Sequence, residues 1–250
     1  MTSITLALSG GAARGAYHLG VLEYIDHHDI CVEAICGTSI GAIIAASYFS
    51  GVTPKEQLEI IKSKAFREIF SFHYFKGSLF QIEGNHELLT RWIPTKNLED
   101  LNKPLYLTAV DLYSGKNLYF DHGDIKTLCM ASSALIPFFP PVSYQEYRLV
   151  DGGVKDHMPM QPLKQYYYPI VGVNLHPLLP NDGKQTLWST AKRALFLSIY
   201  GHSVEAKNIC DFYISSDELA KYSLFSFKHF DELFTMGYHE AEKVLDTIVE

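Results

Sequence analysis

A strand that runs directly into a glycine-rich turn and then a helix occurs twice near the N-terminus, and this pattern limits the fold most strongly. Residues 4–8 (ITLAL) form an apolar run, followed by the turn 9–15 (SGGAARG) and a helical stretch from Ala16 to about His28. Residues 34–36 are followed by the turn 37–41 (GTSIG) and a second helical stretch to about Ser50. Strands that alternate with helices form largely parallel sheets. The sequence therefore predicts an α/β fold with three α/β/α layers and a central, mostly parallel sheet.

The rest of the chain continues this alternation less regularly. The sequence predicts helices over residues 54–64, 83–92, 125–133, 186–207 and 230–249, and strands over 147–150, 170–175 and 212–214. A hairpin is predicted from residues 105–111 and 116–120 around the turn at Ser114 and Gly115. No linker-like tract divides the 250 residues. We therefore expect one domain, residues 1–250.

Charge and cysteine content exclude several classes of function. The formal net charge is −7, which argues against nucleic-acid binding and against simple electrostatic docking on an anionic membrane. The apolar run 4–8 is too short for a signal peptide or a membrane span, so a cytoplasmic location is expected. No C-x-x-C spacing or calcium-type loop is present, so neither a metal nor an organic cofactor is predicted. The cysteines are predicted to be small buried side chains in a reducing compartment: Cys31, Cys36, Cys129 and Cys210.

The second turn has the G-x-S-x-G pattern of a nucleophile elbow, in which a serine stands on a sharp turn between a strand and a helix. Gly37 and Gly41 lack a Cβ and so let neighbouring backbone approach closely. The strand before this turn and the small-residue helix after it match the required context. Ser39 is therefore the predicted nucleophile.

The first turn has two interpretations. A dinucleotide-binding turn needs glycine at its first, third and sixth positions, but Ala12 occupies the third. Alternatively, backbone amides at the N-terminus of a helix can stabilise a developing negative charge, as in an oxyanion hole. This second interpretation is favoured, with the amides of Gly10, Gly11 and Ala12 as donors. Arg14 either fixes the loop and favours anions near it or is an exposed charge at the start of the helix.

A reactive serine also needs a base, and residues 149–153 (LVDGG) provide a carboxylate at the end of a strand. Gly152 and Gly153 free the backbone beyond this carboxylate. If the strand ends at the same edge of the sheet as the other two turns, the Asp151 side chain lies near Ser39. Asp151 is therefore the candidate general base.

The three motifs together, in this order, resemble those of the patatin-like phospholipase family, whose members carry G-G-x-x-[R/K]-G, G-x-S-x-G and D-G-[G/A] segments. Residues 131–142 and Pro159 are also similar to that family. The resemblance implies a patatin-like hydrolase fold and a Ser39–Asp151 dyad that needs no histidine. The motif glycines support the site: Gly15, Gly37, Gly41, Gly152 and Gly153. Many members have glycine where Ala12 stands, and we expect the oxyanion hole to tolerate the alanine.

The family resemblance also implies the substrate, which is an acyl ester of a phospholipid, a lysophospholipid or a neutral lipid. The resemblance implies an apolar acyl site, and two apolar segments are candidates for an acyl pocket, a lid or a face for transient membrane contact, although core packing is the favoured explanation of either one. These segments are the aromatic stretch 66–80 and the helix bearing Trp188, Leu195, Phe196, Leu197 and Tyr200. The oligomeric state is not predicted.

Two alternatives stay open at this point. One is a histidine-dependent serine esterase, because the chain order serine, aspartate, histidine is that of α/β-hydrolases. Its candidate bases are His157, His176, His202, His229 and His239. The other is a lipid-binding or regulatory module that keeps the fold without turnover.

Overall fold

The computed structural model describes residues 2–66, 86–136, 139–180, 186–200, 206–224 and 226–249. These residues form one mixed sheet in the strand order β5-β6-β3-β2-β1-β7-β8, with β4 paired to β3 outside this path. The strands are β1 (Ser3–Leu8), β2 (Cys31–Gly37), β3 (Leu105–Asp111), β4 (Asn117–Phe120), β5 (Val142–Tyr144), β6 (Tyr147–Asp151), β7 (Ile170–Val173) and β8 (Phe212–Ile214).

Parallel pairing joins the central strands, as the alternation of strands and helices predicts. Strand β1 lies between β2 and β7, and the pairs β2–β3 and β7–β8 are also parallel. The predicted hairpin β3–β4 is antiparallel, as is β6, which runs against β3 and places Asp151 opposite Ala109. This reversal carries the carboxylate back along β3 toward the turn that follows β2.

Helices begin where the turns end. They are α1 (Ala16–His27), α2 (Ile40–Phe49), α3 (Pro54–Lys62), α4 (His86–Trp92), α5 (Ile125–Ser132), α6 (Leu187–Tyr200) and α7 (Phe230–Val249). Helix α3 has a capping box between Thr53 and Glu56. Helices α1 and α7 cross at small residues, since a Cβ at Gly20 would lie 1.9 Å from the Phe234 carbonyl oxygen.

Side chains on the two faces of the sheet pack into two separate apolar clusters. Leu6 and Leu8 of β1 pack with the helices α1, α2 and α7, whereas Ala7 packs on the opposite face with Met158 and Leu163. The second face is covered in part by a 3₁₀ helix, Gln161–Tyr166. This division follows from the alternating direction of side chains along a strand. The predicted α/β fold with a mostly parallel central sheet and helices on both sides is confirmed.

The structure differs from the sequence prediction in a few places. Strand β5 was not predicted, because it has three residues and follows two prolines. Strand β7 ends at Val173, two residues earlier than expected. Residues 83–85 and 201–205 of the predicted helices, and the aromatic stretch beyond Phe66, lie outside the described residues. Within the described ranges, no helix is long and apolar enough to cross a membrane.

Candidate active site

The G-x-S-x-G turn places Ser39 in an unusual backbone conformation between β2 and α2. Ser39 has φ +54° and ψ −122°, which is strained for a residue with a side chain. Close backbone approach makes this turn compact, since a Cβ at Gly41 would lie 2.4 Å from the Leu8 carbonyl oxygen. A Cβ at Gly37 would lie 2.8 Å from the backbone nitrogen of Ala42. The two glycines therefore permit the elbow, as the sequence predicts.

Two hydrogen bonds hold the elbow in place. The amide of Ser39 donates to the Ser132 hydroxyl oxygen at the end of α5, at 2.9 Å. The hydroxyl of Thr38 donates to the Asp156 carbonyl oxygen at 3.0 Å, five residues beyond Asp151. Sequence reasoning did not identify Ser132 as a partner of Ser39. The contact joins residues 93 positions apart, so no local pattern indicates it.

Asp151 is buried at the end of β6, with 5% of its surface exposed. Its Oδ1 accepts a hydrogen bond from the Gly153 amide at 2.7 Å. Burial raises the pKa of the Asp151 carboxyl to about 7, while the Gly153 amide and the Ser39 side chain each oppose that rise. A carboxyl group in this state can accept and return a proton near neutral pH, as general acid–base catalysis requires.

The glycine-rich turn presents unused backbone donors beside Ser39. The amides of Gly10, Gly11 and Ala12 donate no hydrogen bond to any residue in the described part of the chain, and neither does that of Ile40. A Cβ at Gly10 would lie 3.2 Å from the Ser39 Cβ, so the turn and the elbow are in contact. Sequence reasoning did not name Ile40 as a donor, although the residue after the nucleophile commonly is one.

A buried histidine orients this turn. The Nε2 of His18, in the first turn of α1, donates to the Ser9 carbonyl oxygen at 2.9 Å, and its ring is fully buried. In a trans peptide the carbonyl and the next N–H point in opposite directions. The bond therefore turns the Gly10 amide away from α1. Burial lowers the pKa of His18 to about 4, which keeps the ring neutral at physiological pH.

Ala12 has φ +48°, the left-handed conformation that disfavours side chains. The remaining motif glycines lie in tight contacts. A Cβ at Gly15 would lie 2.4 Å from the Ile40 Cγ1, and a Cβ at Gly152 would lie 2.5 Å from the Thr108 carbonyl oxygen. The Gly153 amide donates its hydrogen bond to the Asp151 Oδ1.

Arg14 is buried, with 8% of its surface exposed, so of the two alternatives for this residue the exposed charge at the helix start is wrong. Its Nε and Nη2 donate to the Tyr222 carbonyl oxygen at 3.0 and 2.8 Å, and its Nη1 donates to the Leu175 carbonyl oxygen at 2.8 Å. The side chain therefore ties the glycine-rich turn to two distant loops. Burial lowers the pKa of Arg14 to about 10, so the guanidinium stays charged at neutral pH.

Ser39, Asp151 and the glycine-rich turn line a common cavity of about 60 Å³. Helix α6 closes one side of this cavity, which we call the catalytic cavity because it holds the candidate nucleophile and the candidate base. The wall residues outside the three motifs are Ser133, Leu135, Phe139, His157, Phe196, Ile199, Tyr200 and Leu224. Phe196 and Tyr200 belong to the segment that is a candidate for an acyl pocket, whereas the side chains of Trp188 and Leu195 lie outside the described residues. Leu197 is 43% exposed.

The histidines proposed as alternative bases are distributed unevenly. His157 and His176 are buried near the site, and burial lowers the pKa of His157 to about 3. Neither ring makes a hydrogen bond to Ser39 or Asp151 within the described residues. His229 and His239 pair with Glu232 and Glu242 on the surface, and His202 lies outside the described residues. No group of three metal-binding side chains occurs among the residues that the structure covers.

Comparison with known proteins finds a matching family model and several distant relatives. A family model described as patatin-like phospholipase matches residues 6–164. An uncharacterized NTE family protein of Mycobacterium tuberculosis is 24% identical over 162 residues, which is 64% of this chain and 45% of that protein. Lysophospholipase nte1 of Emericella nidulans is 22% identical over 288 aligned positions, covering 98% of this chain and 18% of the relative. The chain thus spans less than half the length of these curated relatives.

A solved structure supports the fold. The crystal structure of VipD from Legionella pneumophila superposes with a TM-score of 0.54 at 14% identity, covering 98% of this chain and 67% of that one. At this identity the likeness concerns the arrangement of strands and helices.

Proposed function

The chain belongs to the patatin-like phospholipase family, and from that premise we propose that it is a lipid acyl hydrolase of the phospholipase A or lysophospholipase type. The observation that carries the proposal is the shared cavity, in which the strained Ser39 meets a desolvated carboxyl group beside unused backbone amides. The strained backbone, the desolvated carboxyl group and the unpaired amides each lower stability, and all three would serve in acyl transfer to the serine. A cytoplasmic location and transient contact with a membrane surface stay predictions from the sequence.

In the proposed reaction, the Asp151 carboxylate takes the proton of the Ser39 hydroxyl as Oγ attacks the acyl carbonyl carbon. The carbonyl oxygen becomes an oxyanion, and the amides of Gly10, Gly11 and Ala12 donate to it. In other enzymes, loss of one such donor costs about 3–4 kcal/mol of transition-state stabilisation. Asp151 then returns its proton to the departing alkoxide, which leaves an acyl-enzyme ester on Ser39.

Deacylation repeats these steps with water as the nucleophile. Asp151 takes a proton from the attacking water, and the tetrahedral intermediate collapses with release of the carboxylic acid and return of the proton to Ser39 Oγ. The buried surroundings of Asp151 favour this role, because desolvation raises the basicity of the carboxylate. Water exclusion by α6 would strengthen the interaction of the amides with the oxyanion.

The test is hydrolysis of a p-nitrophenyl acyl ester and of a mixed panel of phospholipids, lysophospholipids and acylglycerols. We expect activity in the wild type and losses of at least about 10³-fold in Ser39→Ala and Asp151→Asn. Ser143→Ala is the matched control, because this exposed serine of β5 lies outside the catalytic cavity. Equal rates for wild type and Ser39→Ala would favour the lipid-binding module. Activity that survives Asp151→Asn and disappears in His157→Ala would favour the histidine-dependent esterase.

A further inference from the structure

A second and larger cavity, of about 530 Å³, adjoins the catalytic cavity. The two share the side chains of Phe196, Tyr200 and Leu224 as a common wall. We call the larger one the arginine groove. Its remaining lining residues are Arg14, His176, Pro177, Leu178, Leu179, Pro180, Ser189, Arg193 and Ala220. Its volume lies within the usual range for small-molecule sites, roughly 300–1,000 Å³.

The charges that line this groove are positive, and no acidic partner for them occurs among the residues that the structure describes. Neither Arg14 nor Arg193 is within ion-pair distance of a carboxylate in the described part of the chain. Of the lining residues in the described ranges, none is an aspartate or a glutamate. Burial keeps His176 neutral, because it lowers the pKa of that ring well below its usual value. Buried charges are normally paired, so a buried Arg14 with no carboxylate beside it in the described ranges favours an anion in this groove.

Arg193 has hydrogen-bonding capacity left over. Among the described residues its guanidinium donates one hydrogen bond, from Nη2 to the Leu179 carbonyl oxygen at 2.8 Å. A guanidinium carries five N–H donors in a planar fork that suits two phosphate oxygens at once. Leu178, Leu179 and two prolines provide apolar wall beside this charge. An anionic head group next to a glycerol or acyl portion fits that combination.

We propose that the arginine groove binds the phosphate group of a substrate whose ester carbonyl lies at Ser39, and that Arg193 determines specificity for phosphate-bearing acyl esters over neutral acylglycerols. This inference rests on the proposed function, because the shared wall at Phe196 and Tyr200 places the groove beside the proposed nucleophile. Arg14 adds electrostatic attraction, while its own nitrogens donate to the carbonyl oxygens of Tyr222 and Leu175, and Nη1 also lies 3.4 Å from the His176 Nδ1.

The test compares kcat/KM for two substrates with the same acyl chain, lysophosphatidylglycerol and monoacylglycerol, both below their aggregation concentrations. We expect the wild type to prefer the lysophospholipid and Arg193→Gln to lower the ratio of the two kcat/KM values about 10- to 100-fold. Arg193→Lys keeps the charge, so its ratio should lie between that of the wild type and that of Arg193→Gln. Arg91→Gln, on the exposed surface of α4, removes a charge elsewhere and should leave the ratio unchanged. A ratio that Arg193→Gln leaves within about twofold would overturn the proposal.

A binding measurement separates this proposal from the proposed function. Calorimetric titration of Ser39→Ala protein with monomeric lysophosphatidylglycerol, and with monoacylglycerol as the neutral comparison, needs no turnover. Selective binding that disappears on adding Arg193→Gln would support the groove even if the wild type hydrolysed no lipid. Equal affinity for both lipids would refute the groove even if hydrolysis by Ser39 were established.

Discussion

Asp151→Asn should stabilise the protein at alkaline pH while it abolishes hydrolysis. In the native state, burial raises the pKa of the Asp151 carboxyl to about 7, whereas an exposed aspartate in the unfolded chain titrates near 4. Between these values the native protein holds a proton that the unfolded chain has lost. The free energy of unfolding therefore falls as pH rises through this window.

The size of the effect follows from the two pKa values. Their separation corresponds to about 4 kcal/mol in total, of which about 2–3 kcal/mol develops between pH 5 and pH 9. Asparagine carries no charge at either pH, and its side-chain oxygen can still accept from the Gly153 amide. We therefore expect the stability advantage of Asp151→Asn over the wild type to grow by about 2–3 kcal/mol from pH 5 to pH 9.

Urea unfolding of both proteins at pH 5, 7 and 9 measures this advantage. The control is Asp111→Asn, at the end of β3. The Ser114 hydroxyl and three backbone amides lower the pKa of Asp111 to about 2, so this carboxylate is ionised throughout the range. Its substitution should change stability by the same amount at each pH. If Asp151→Asn also gave a constant difference, the carboxyl group would not be desolvated and the reasoning would be refuted.

Three further predictions concern the same site. The kcat/KM of the wild type for a p-nitrophenyl ester should rise tenfold per pH unit below about 7, because Asp151 must be ionised to act as base, and a pH-independent rate would contradict this. Ala12→Gly should raise the free energy of unfolding, measured in thermal or urea melts, by about 0.5–1 kcal/mol, because glycine relieves the strain of the positive φ. Ala13 has an ordinary φ, so Ala13→Gly should lower the free energy of unfolding. His18→Phe removes the donor to the Ser9 carbonyl and should lower kcat about tenfold with little change in KM, as steady-state kinetics would show, and His18→Gln should restore part of the loss. Equal kcat values for the wild type, His18→Phe and His18→Gln would contradict a role of His18 in orienting the turn.

The positions of Ser39 and Asp151 could be predicted because their motifs are local. Each motif consists of a strand end, a glycine-containing turn and the start of a helix within about ten residues. These features depend only on local backbone geometry and side-chain size. The same holds for the capping box of α3 and for the hairpin β3–β4. The burial of Arg14 could not be predicted in this way, because the three hydrogen bonds that it donates reach carbonyl oxygens 161 and 208 residues along the chain.

The sequence by itself therefore determined the mostly parallel α/β sheet, the elbow at Ser39 and the position of Asp151 at the end of a strand. Only the tertiary structure decided the protonation behaviour of Asp151, the acceptor role of Ser132, the orientation of the glycine-rich turn by His18 and the adjoining arginine groove. The physical reason is the range of each effect. Strand and turn propensities act between neighbours, but desolvation and charge compensation depend on every segment that packs around a group.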